Sequence, residues 1–352
     1  MRCTRRLILT LLMVFGRTSV AGLACDQDTV IINLAFKYEG ANKISGVESD
    51  VENLKSLYSG QPNVHTLYLD PAESDKRSVL EKIRKAIGNH KNVIFNYAGH
   101  GLTQKVIRKG MKSDELVVYT KKSAEAYRKN EPPPEAPLEK KSSQPSGGFM
   151  LAGQKCMSCR KEAEVLCVRD CYGRKVPNMA DEEMKMYRNY CIQINCQDSS
   201  TNPRLADCYQ QTCITGDDLS GLFHGRKVTG MIDACHSGGI ALKGVDYSFL
   251  VSAGLEMATA KGRARSNGEG GGILTEAALA ACASAGPDQA ALNSFDILDA
   301  KRRVDPTDYL AHHFSGGAGD PDASCIVPVS KKNCGRQKAD TPEPSSSPGV
   351  VQ

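Results

Sequence analysis

The chain has 352 residues, a length that fits one α/β core of about 200 to 250 residues together with additional segments. Its 45 basic and 40 acidic residues give a formal net charge of +5. Positive and negative charges are thus nearly balanced. The sequence has neither a stripe of basic residues nor a nucleic-acid-binding module, so we expect no nucleic-acid partner.

The N-terminus has the layout of a secretory signal peptide over residues 1–24. Three arginines precede an apolar run at residues 7–15, and small residues follow. The alternative, a membrane anchor, is disfavoured because the run is about half of the roughly 20 residues that a span requires. Cleavage removes four arginines and no acid, which lowers the net charge from +5 to +1. We therefore expect a secreted protein that has no membrane partner after signal removal.

Short apolar runs rich in valine and isoleucine predict six strands along the rest of the chain. They lie at residues 29–36, 64–69, 92–97, 227–233, 248–253 and 324–329. Their apolar residues do not strictly alternate with polar ones, which is typical of strands buried on both faces of a mostly parallel sheet.

Helical patterns separate these strands. The most regular one has apolar residues at helical spacing, namely Val79, Leu80, Ile83 and Ile87. Asp70, Pro71 and Glu73 predict its start as N-cap, first-turn proline and N3 acid. Further helices are predicted at residues 50–58, at 219–223 after a capping box, at 272–283, and from residue 305. Strands alternating with helices predict an α/β fold, a doubly wound, mostly parallel sheet flanked by helices.

Two stretches interrupt this pattern and divide the chain. Residues 121–148 carry five prolines among charged and serine residues, a composition that predicts a disordered linker. A cysteine-rich insertion follows at residues 149–213. The core is thus predicted in two parts, residues 25–120 and 214–334, and residues 335–352 form a predicted disordered tail.

The chain has 14 cysteines, of which Cys3 leaves with the signal peptide and eight lie between Cys156 and Cys213. The close spacing of Cys156 and Cys159 would also suit a zinc site. Irregular later spacings, the lack of histidine between Cys156 and Cys213, and export favour disulfides instead. If Cys235 stays a free thiol, twelve cysteines remain for pairing.

The third and fourth predicted strands end in motifs that carry reactive side chains, Tyr-Ala-Gly-His-Gly at residues 97–101 and Asp-Ala-Cys-His-Ser-Gly-Gly at residues 233–239. Taken separately, Cys235 could be an inert thiol and His100 an ordinary loop histidine. Because ligands bind at the carboxyl ends of parallel strands, the two would instead face one crevice. The sequence therefore predicts Cys235 as a nucleophile and His100 as its general base.

The expected site also includes backbone donors, and a second histidine lies next to the cysteine. The backbone N–H groups of Gly101 and Cys235 are candidate donors to an oxyanion. His236 is a competing base, but neighbouring residues on a strand point to opposite faces, so we predict a packing or supporting role for it.

These two motifs resemble the paired signatures of caspase-like cysteine peptidases, and most closely those of the metacaspases. The stretch from Gly46 to Leu54 is similar to the one that follows the first strand in that family. A caspase-type histidine lies about 50 residues before its cysteine. Here the separation is 135, and removing residues 121–213 reduces it to 42, which agrees with an insertion in one loop of a caspase-like fold.

The resemblance implies a cysteine-type endopeptidase that acts on peptides or proteins through a thioester acyl-enzyme. Metacaspases carry acidic residues at the positions of Asp50 and Asp233, which implies cleavage after Arg or Lys. The acidic clusters that bind activating calcium in many metacaspases are not evident near Asp114 and Glu115, so we expect no cofactor or metal and leave calcium activation open. The alternative is a non-catalytic secreted binding protein that recognises a partner through its cysteine-rich segment.

Overall fold

The computed structural model describes residue 25 and residues 28–103, 111–134, 148–196, 202–253, 272–286, 288–304, 311–318, 325–330 and 333–334. The predicted signal peptide, the predicted tail and the start of a helix at residue 305 lie outside these residues.

Strands and helices alternate along much of the described chain. The strands are β1 (Thr29–Phe36), β2 (Val64–Leu69), β3 (Asn92–Ala98), β4 (His100–Thr103), β5 (Phe149–Ala152), β6 (Ile214–Thr215), β7 (Lys227–Asp233), β8 (Asp246–Val251), β9 (Ala291–Leu292), β10 (His312–Gly316) and β11 (Val327–Pro328). The helices are α1 (Val47–Leu57), α2 (Lys76–Ile87), α3 (Ser113–Arg128), α4 (Gln154–Gly173), α5 (Asp181–Cys191), α6 (Pro203–Thr212), α7 (Gly216–Phe223), α8 (Ile273–Ser284) and α9 (Ser294–Val304).

The centre of the fold is a six-stranded sheet in the order β10-β8-β7-β3-β1-β2. Strands β2, β1, β3, β7 and β8 run parallel, and β10 pairs antiparallel with β8. The prediction of an α/β fold with a mostly parallel sheet and flanking helices is therefore confirmed.

Two apolar cores cover the two faces of this sheet. In β1, Ile32 and Leu34 belong to one core, whereas Ile31 belongs to the other. Helices α2 and α7 contribute to the first core, and α8 and α9 contribute to the second. This division explains the unbroken apolar runs in the sequence, because the central strands bury both faces.

Several predicted boundaries differ from the structure. Asp70 precedes a short 3-10 helix, Pro71–Glu73, and α2 begins only at Lys76 with the Asp75 side chain as its N-cap. Helix α1 begins at Val47 after Gly46, which makes Asp50 its fourth residue rather than its start. The run predicted as a strand at 324–329 contributes only β11, which pairs with β9 outside the central sheet.

The predicted linker at residues 121–148 is wrong over residues 121–128, because α3 continues to Arg128. Ser123 and Ala124 are buried on this helix, and Arg128 pairs with Glu183 at 2.6 Å. Packing against α5 therefore overrides the local composition. Residues 135–147 lie outside the described part of the chain.

The cysteine-rich segment is continuous with the main core. Strand β5, its first element, is fully buried in the first core and pairs with β4 and β6. Four disulfides then join helix α4 to α6 and the residue after it, and to the end of α5 and the helical turn after it: Cys156–Cys213, Cys159–Cys208, Cys167–Cys196 and Cys171–Cys191.

Two further disulfides join distant parts of the chain, Cys25–Cys325 and Cys282–Cys334. Among the described cysteines, Cys235 is the one that remains a free thiol. The prediction that the cysteine-rich segment forms disulfides is thus confirmed, and such pairing is typical of proteins in an oxidising compartment. Within the described ranges, no helix has both the length and the apolar character needed to cross a bilayer.

Candidate active site

His100 and Cys235 both lie just after the carboxyl ends of two adjacent parallel strands. Strand β3 pairs with β7 so that Ala98 lies opposite Asp233, and each reactive residue follows two positions later. The Gly99 N–H donates to the Asp233 carbonyl at 3.2 Å, which continues the pairing beyond the strands. The histidine and the cysteine predicted from the two motifs therefore lie on the same edge of the sheet.

Glycines on either side of His100 permit this approach. Gly99 has φ of +155°, and a Cβ there would overlap the hydroxyl oxygens of Tyr38 and Tyr97. A Cβ on Gly101 would overlap the carbonyl oxygen of Cys235. Gly101 thus packs directly against the backbone of the cysteine, at the point where the sequence predicts donors to an oxyanion.

The imidazole of His100 is oriented by a backbone carbonyl. Its Nε2 lies 2.8 Å from the carbonyl oxygen of Asn42, in a short helical turn after β1. A carbonyl oxygen can only accept a hydrogen bond, so Nε2 must carry the proton. In the neutral ring, Nδ1 is then the basic nitrogen.

The surroundings of His100 favour its neutral form. Burial is the main cause of a lowered pKa, and the positive charges of Arg160 and Lys161 on α4 lower it further. The hydrogen bond to Asn42 opposes this effect. The ring is therefore kept available as a base at lower pH than an exposed histidine would be.

The loop that carries Cys235 is fixed by the chain that follows β8. The Ala234 N–H donates to Ser252 Oγ at 3.0 Å, and the Ala253 N–H donates to Ser237 Oγ at 3.1 Å. His236 adopts a left-handed conformation with φ of 61°, so the chain turns sharply directly after the cysteine. Cys235 itself is half-buried and unpaired.

Asp50 and Asp233 both reach the N-terminus of α8. Asp50 accepts hydrogen bonds from the Gly272 N–H at 2.6 Å and from the Thr275 hydroxyl. Asp233 accepts one from the Leu274 N–H at 3.0 Å. Asp50 does not cap its own helix, which begins at Val47 after Gly46; its carboxylate caps α8 instead.

The two carboxylates interact electrostatically. Asp50 is 5% exposed and Asp233 is 7% exposed. Burial, followed by the charge of Asp233, raises the pKa of Asp50 to about 7, although the hydrogen bonds from Thr275 and Gly272 oppose the shift. Burial and mutual repulsion therefore make negative charge on this pair unfavourable, whereas the N-terminus of α8 stabilises it.

Sequence reasoning missed Tyr38 and Asn42, which contact His100 directly. The Tyr38 ring packs edge-on against the imidazole with ring centroids 4.7 Å apart. Neither residue lies in a recognisable motif, and Asn42 acts through its backbone, so its side-chain identity carries no signal. The one signal in the sequence that an aromatic side chain lies near His100 was Tyr97, the tyrosine of the histidine motif.

Comparisons with protein-family models and with curated protein sequences find no match. Among solved structures, the chain is similar to protein GSU0716 from Geobacter sulfurreducens, with 10% sequence identity and a TM-score of 0.41. That alignment covers 86% of this chain and 99% of the other. A similarity at this level carries no conclusion about fold or activity.

Proposed function

We propose that the protein is a caspase-like cysteine endopeptidase, most similar to the metacaspases, with Cys235 as nucleophile and His100 as general base. The observation that supports the proposal is the placement of one unpaired cysteine and one oriented histidine just after the ends of adjacent parallel strands. Twelve other cysteines form disulfides, so a free thiol at this position stands out.

The reaction begins with transfer of the Cys235 thiol proton to Nδ1 of His100. The thiolate attacks the carbonyl carbon of the scissile peptide bond, and the carbonyl oxygen becomes negatively charged. The backbone N–H groups of Gly101 and Cys235 are the proposed donors to this oxygen. The hydrogen bond from Nε2 to the Asn42 carbonyl stabilises the imidazolium that forms.

The acyl-enzyme follows from collapse of this intermediate. His100 returns its proton to the leaving amine, the carbon–nitrogen bond breaks, and a thioester with Cys235 remains. His100 then removes a proton from water, which attacks the thioester, and the carboxylic acid product leaves as the thiol is restored. No cofactor enters these steps.

The proposed preference is for Arg or Lys before the scissile bond. Asp233 lies two residues before the nucleophile, and Asp50 interacts with it across the edge of the sheet. A guanidinium or ammonium group would neutralise two acids that burial makes costly, and charge-assisted hydrogen bonds are about twice as strong as neutral ones. An Asp side chain would be repelled.

The direct test is hydrolysis of a combinatorial fluorogenic peptide library by the purified mature protein, with and without calcium. A peptidyl vinyl sulfone, which alkylates an activated thiol, gives an independent measure of the nucleophile. We expect turnover and labelling by the wild type, and neither by Cys235→Ala. A wild-type protein that hydrolyses no member and is not labelled would leave the non-catalytic binding protein as the better proposal.

A further inference from the structure

Tyr38 contacts both the side chain and the backbone of His100. It lies two residues after β1 and is 8% exposed. Its ring meets the imidazole edge-on, with centroids 4.7 Å apart and an interplanar angle of 78°. An aromatic ring therefore packs against one side of the proposed general base.

The Tyr38 hydroxyl bridges two strands at the position of His100. The His100 N–H donates to the hydroxyl oxygen at 2.9 Å, and the hydroxyl donates to the Ala152 carbonyl at 2.9 Å. His100 and Ala152 are register partners in the β4–β5 pair. The hydroxyl thus bridges backbone groups of two residues that lie opposite each other in this antiparallel pair.

A second tyrosine holds the other polar group of the same backbone. The Tyr97 hydroxyl donates to the His100 carbonyl at 2.7 Å, and its oxygen lies 3.2 Å from that of Tyr38. Each phenol has a single proton, and both protons are directed to carbonyl oxygens. Burial raises the pKa of both phenols, which therefore remain protonated donors.

We propose that Tyr38 is a positioning residue for the general base, and that its hydroxyl couples His100 to the disulfide-linked segment that begins at β5. Ala152 is the last residue of β5, and α4 starts two residues later at Gln154. The Cys156–Cys213 disulfide anchors this start of α4. The inference rests on the proposed function, because His100 is a base only if that function is correct.

The effect of losing the hydroxyl follows from hydrogen-bond accounting. In Tyr38→Phe, the His100 N–H and the Ala152 carbonyl lose their shared partner, while the ring against the imidazole remains. A buried polar group without a hydrogen-bond partner costs more free energy than an ordinary hydrogen bond contributes. The backbone at His100 would therefore shift so that its N–H finds another partner. A shift of the base weakens proton transfer but leaves Asp50 and Asp233 unchanged.

The test compares Tyr38→Phe with Tyr58→Phe. Tyr58 is a matched control because it is also buried and its hydroxyl donates to the Ile326 carbonyl at 2.9 Å, away from His100. Active sites are counted with the vinyl sulfone probe so that unfolded molecules do not enter kcat. We expect kcat to fall about tenfold in Tyr38→Phe with KM nearly constant, and kcat to stay at the wild-type value in Tyr58→Phe.

A second measurement separates this inference from the proposed function. The NMR signal of the His100 ring, assigned with His100→Ala, should shift in Tyr38→Phe and remain in place in Tyr58→Phe, whether or not the protein hydrolyses peptides. The double variant with Tyr97→Phe should lose less activity than the product of the two single losses, since both hydroxyls hold one backbone. Wild-type kcat per active site together with an unshifted His100 signal in Tyr38→Phe would overturn the inference.

Discussion

Asp50 and Asp233 are bound to one helix N-terminus, although they come from different elements of the fold. Asp50 lies in α1 and Asp233 ends β7, and backbone N–H groups at the start of α8 donate to both. This shared terminus explains how two buried acids are tolerated side by side. It also makes their ionisation a property of the pair, from which two measurable consequences follow.

The first consequence concerns substrate choice. Fluorogenic peptides that differ only in the residue before the scissile bond should be cleaved much faster when that residue is Arg or Lys than when it is Asp. Because the pKa of Asp50 is raised to about 7, KM for the Arg peptide should decrease as pH rises through 7 and the second negative charge appears. Asp50→Asn should raise KM and abolish this pH dependence. Faster cleavage after Asp would contradict the proposed pocket.

The second consequence concerns stability. The raised folded-state pKa of Asp50 means that the folded protein holds this proton more tightly than the unfolded chain between pH 3.8 and about 7. Stability from this group is complete below pH 3.8 and is lost as pH rises towards 7. Asp50→Asn should therefore raise Tm relative to the wild type, and by more at pH 8 than at pH 4. Calorimetry at both pH values measures this, with Asp75→Asn at the N-cap of α2 as a matched control.

His100→Ala and Cys235→Ala should each lower kcat by at least about 10³-fold, because nucleophile and base act as one unit. His236→Asn is the matched control: it keeps a residue that tolerates the left-handed conformation and removes the competing imidazole. We expect it to retain most of the activity. Circular dichroism and thermal unfolding of all three variants establish whether a loss is chemical. A fully active His100→Ala together with an inactive His236→Asn would show that His236, and not His100, is the general base.

The pH profile of kcat should have its acidic limb below the ordinary histidine value of about 6.5, since the proposed base must be neutral to accept a proton. Burial first, and then the charges of Arg160 and Lys161, lower the pKa of His100. Replacing Lys161 with Glu should move the limb to higher pH. A limb that lies above pH 6.5 in the wild type would show that another group controls the step.

Digestion with trypsin should spare the bonds after Lys121 and Lys122, which lie within α3. These residues fall within the stretch predicted to be a disordered linker, where cleavage would be easy, but a helix must unwind before a protease can bind it. Lys129 follows the last helical residue, so we expect the bond after it to be cut before these two bonds. Mass spectrometry of the first fragments measures the order. Early cuts after Lys121 would indicate that α3 opens readily.

The central strands were predictable because their burial on both faces requires continuous apolar runs. Strands β1, β2 and β7 begin and end at the predicted residues. Strand β10 was missed because it pairs at the edge of the sheet and its sequence, His-His-Phe-Ser-Gly, is mostly polar. Helix α3 was missed because its stability comes from packing against α5, which local composition does not reveal.

The candidate site was predictable only where side chains act. His100 and Cys235 could be named from residue type and position relative to the strands, and Asp50 and Asp233 from the resemblance to the metacaspases. The contact of His100 with the Asn42 carbonyl could not, because any residue offers a carbonyl there. The hydroxyl of Tyr38 reaches Ala152 across 114 positions of the chain, a contact that only the folded topology brings together.

The Cys25–Cys325 disulfide spans 300 residues and closes most of the chain into a covalent ring. A single break between residues 129 and 148 would therefore open the ring without releasing either piece. The nicked protein would migrate as one species on a non-reducing gel and as two after reduction. Both pieces are needed for the site, because His100 would lie on one and Cys235 on the other. A molecule built in this way can be cut once and still keep its two halves together for as long as this disulfide is not reduced.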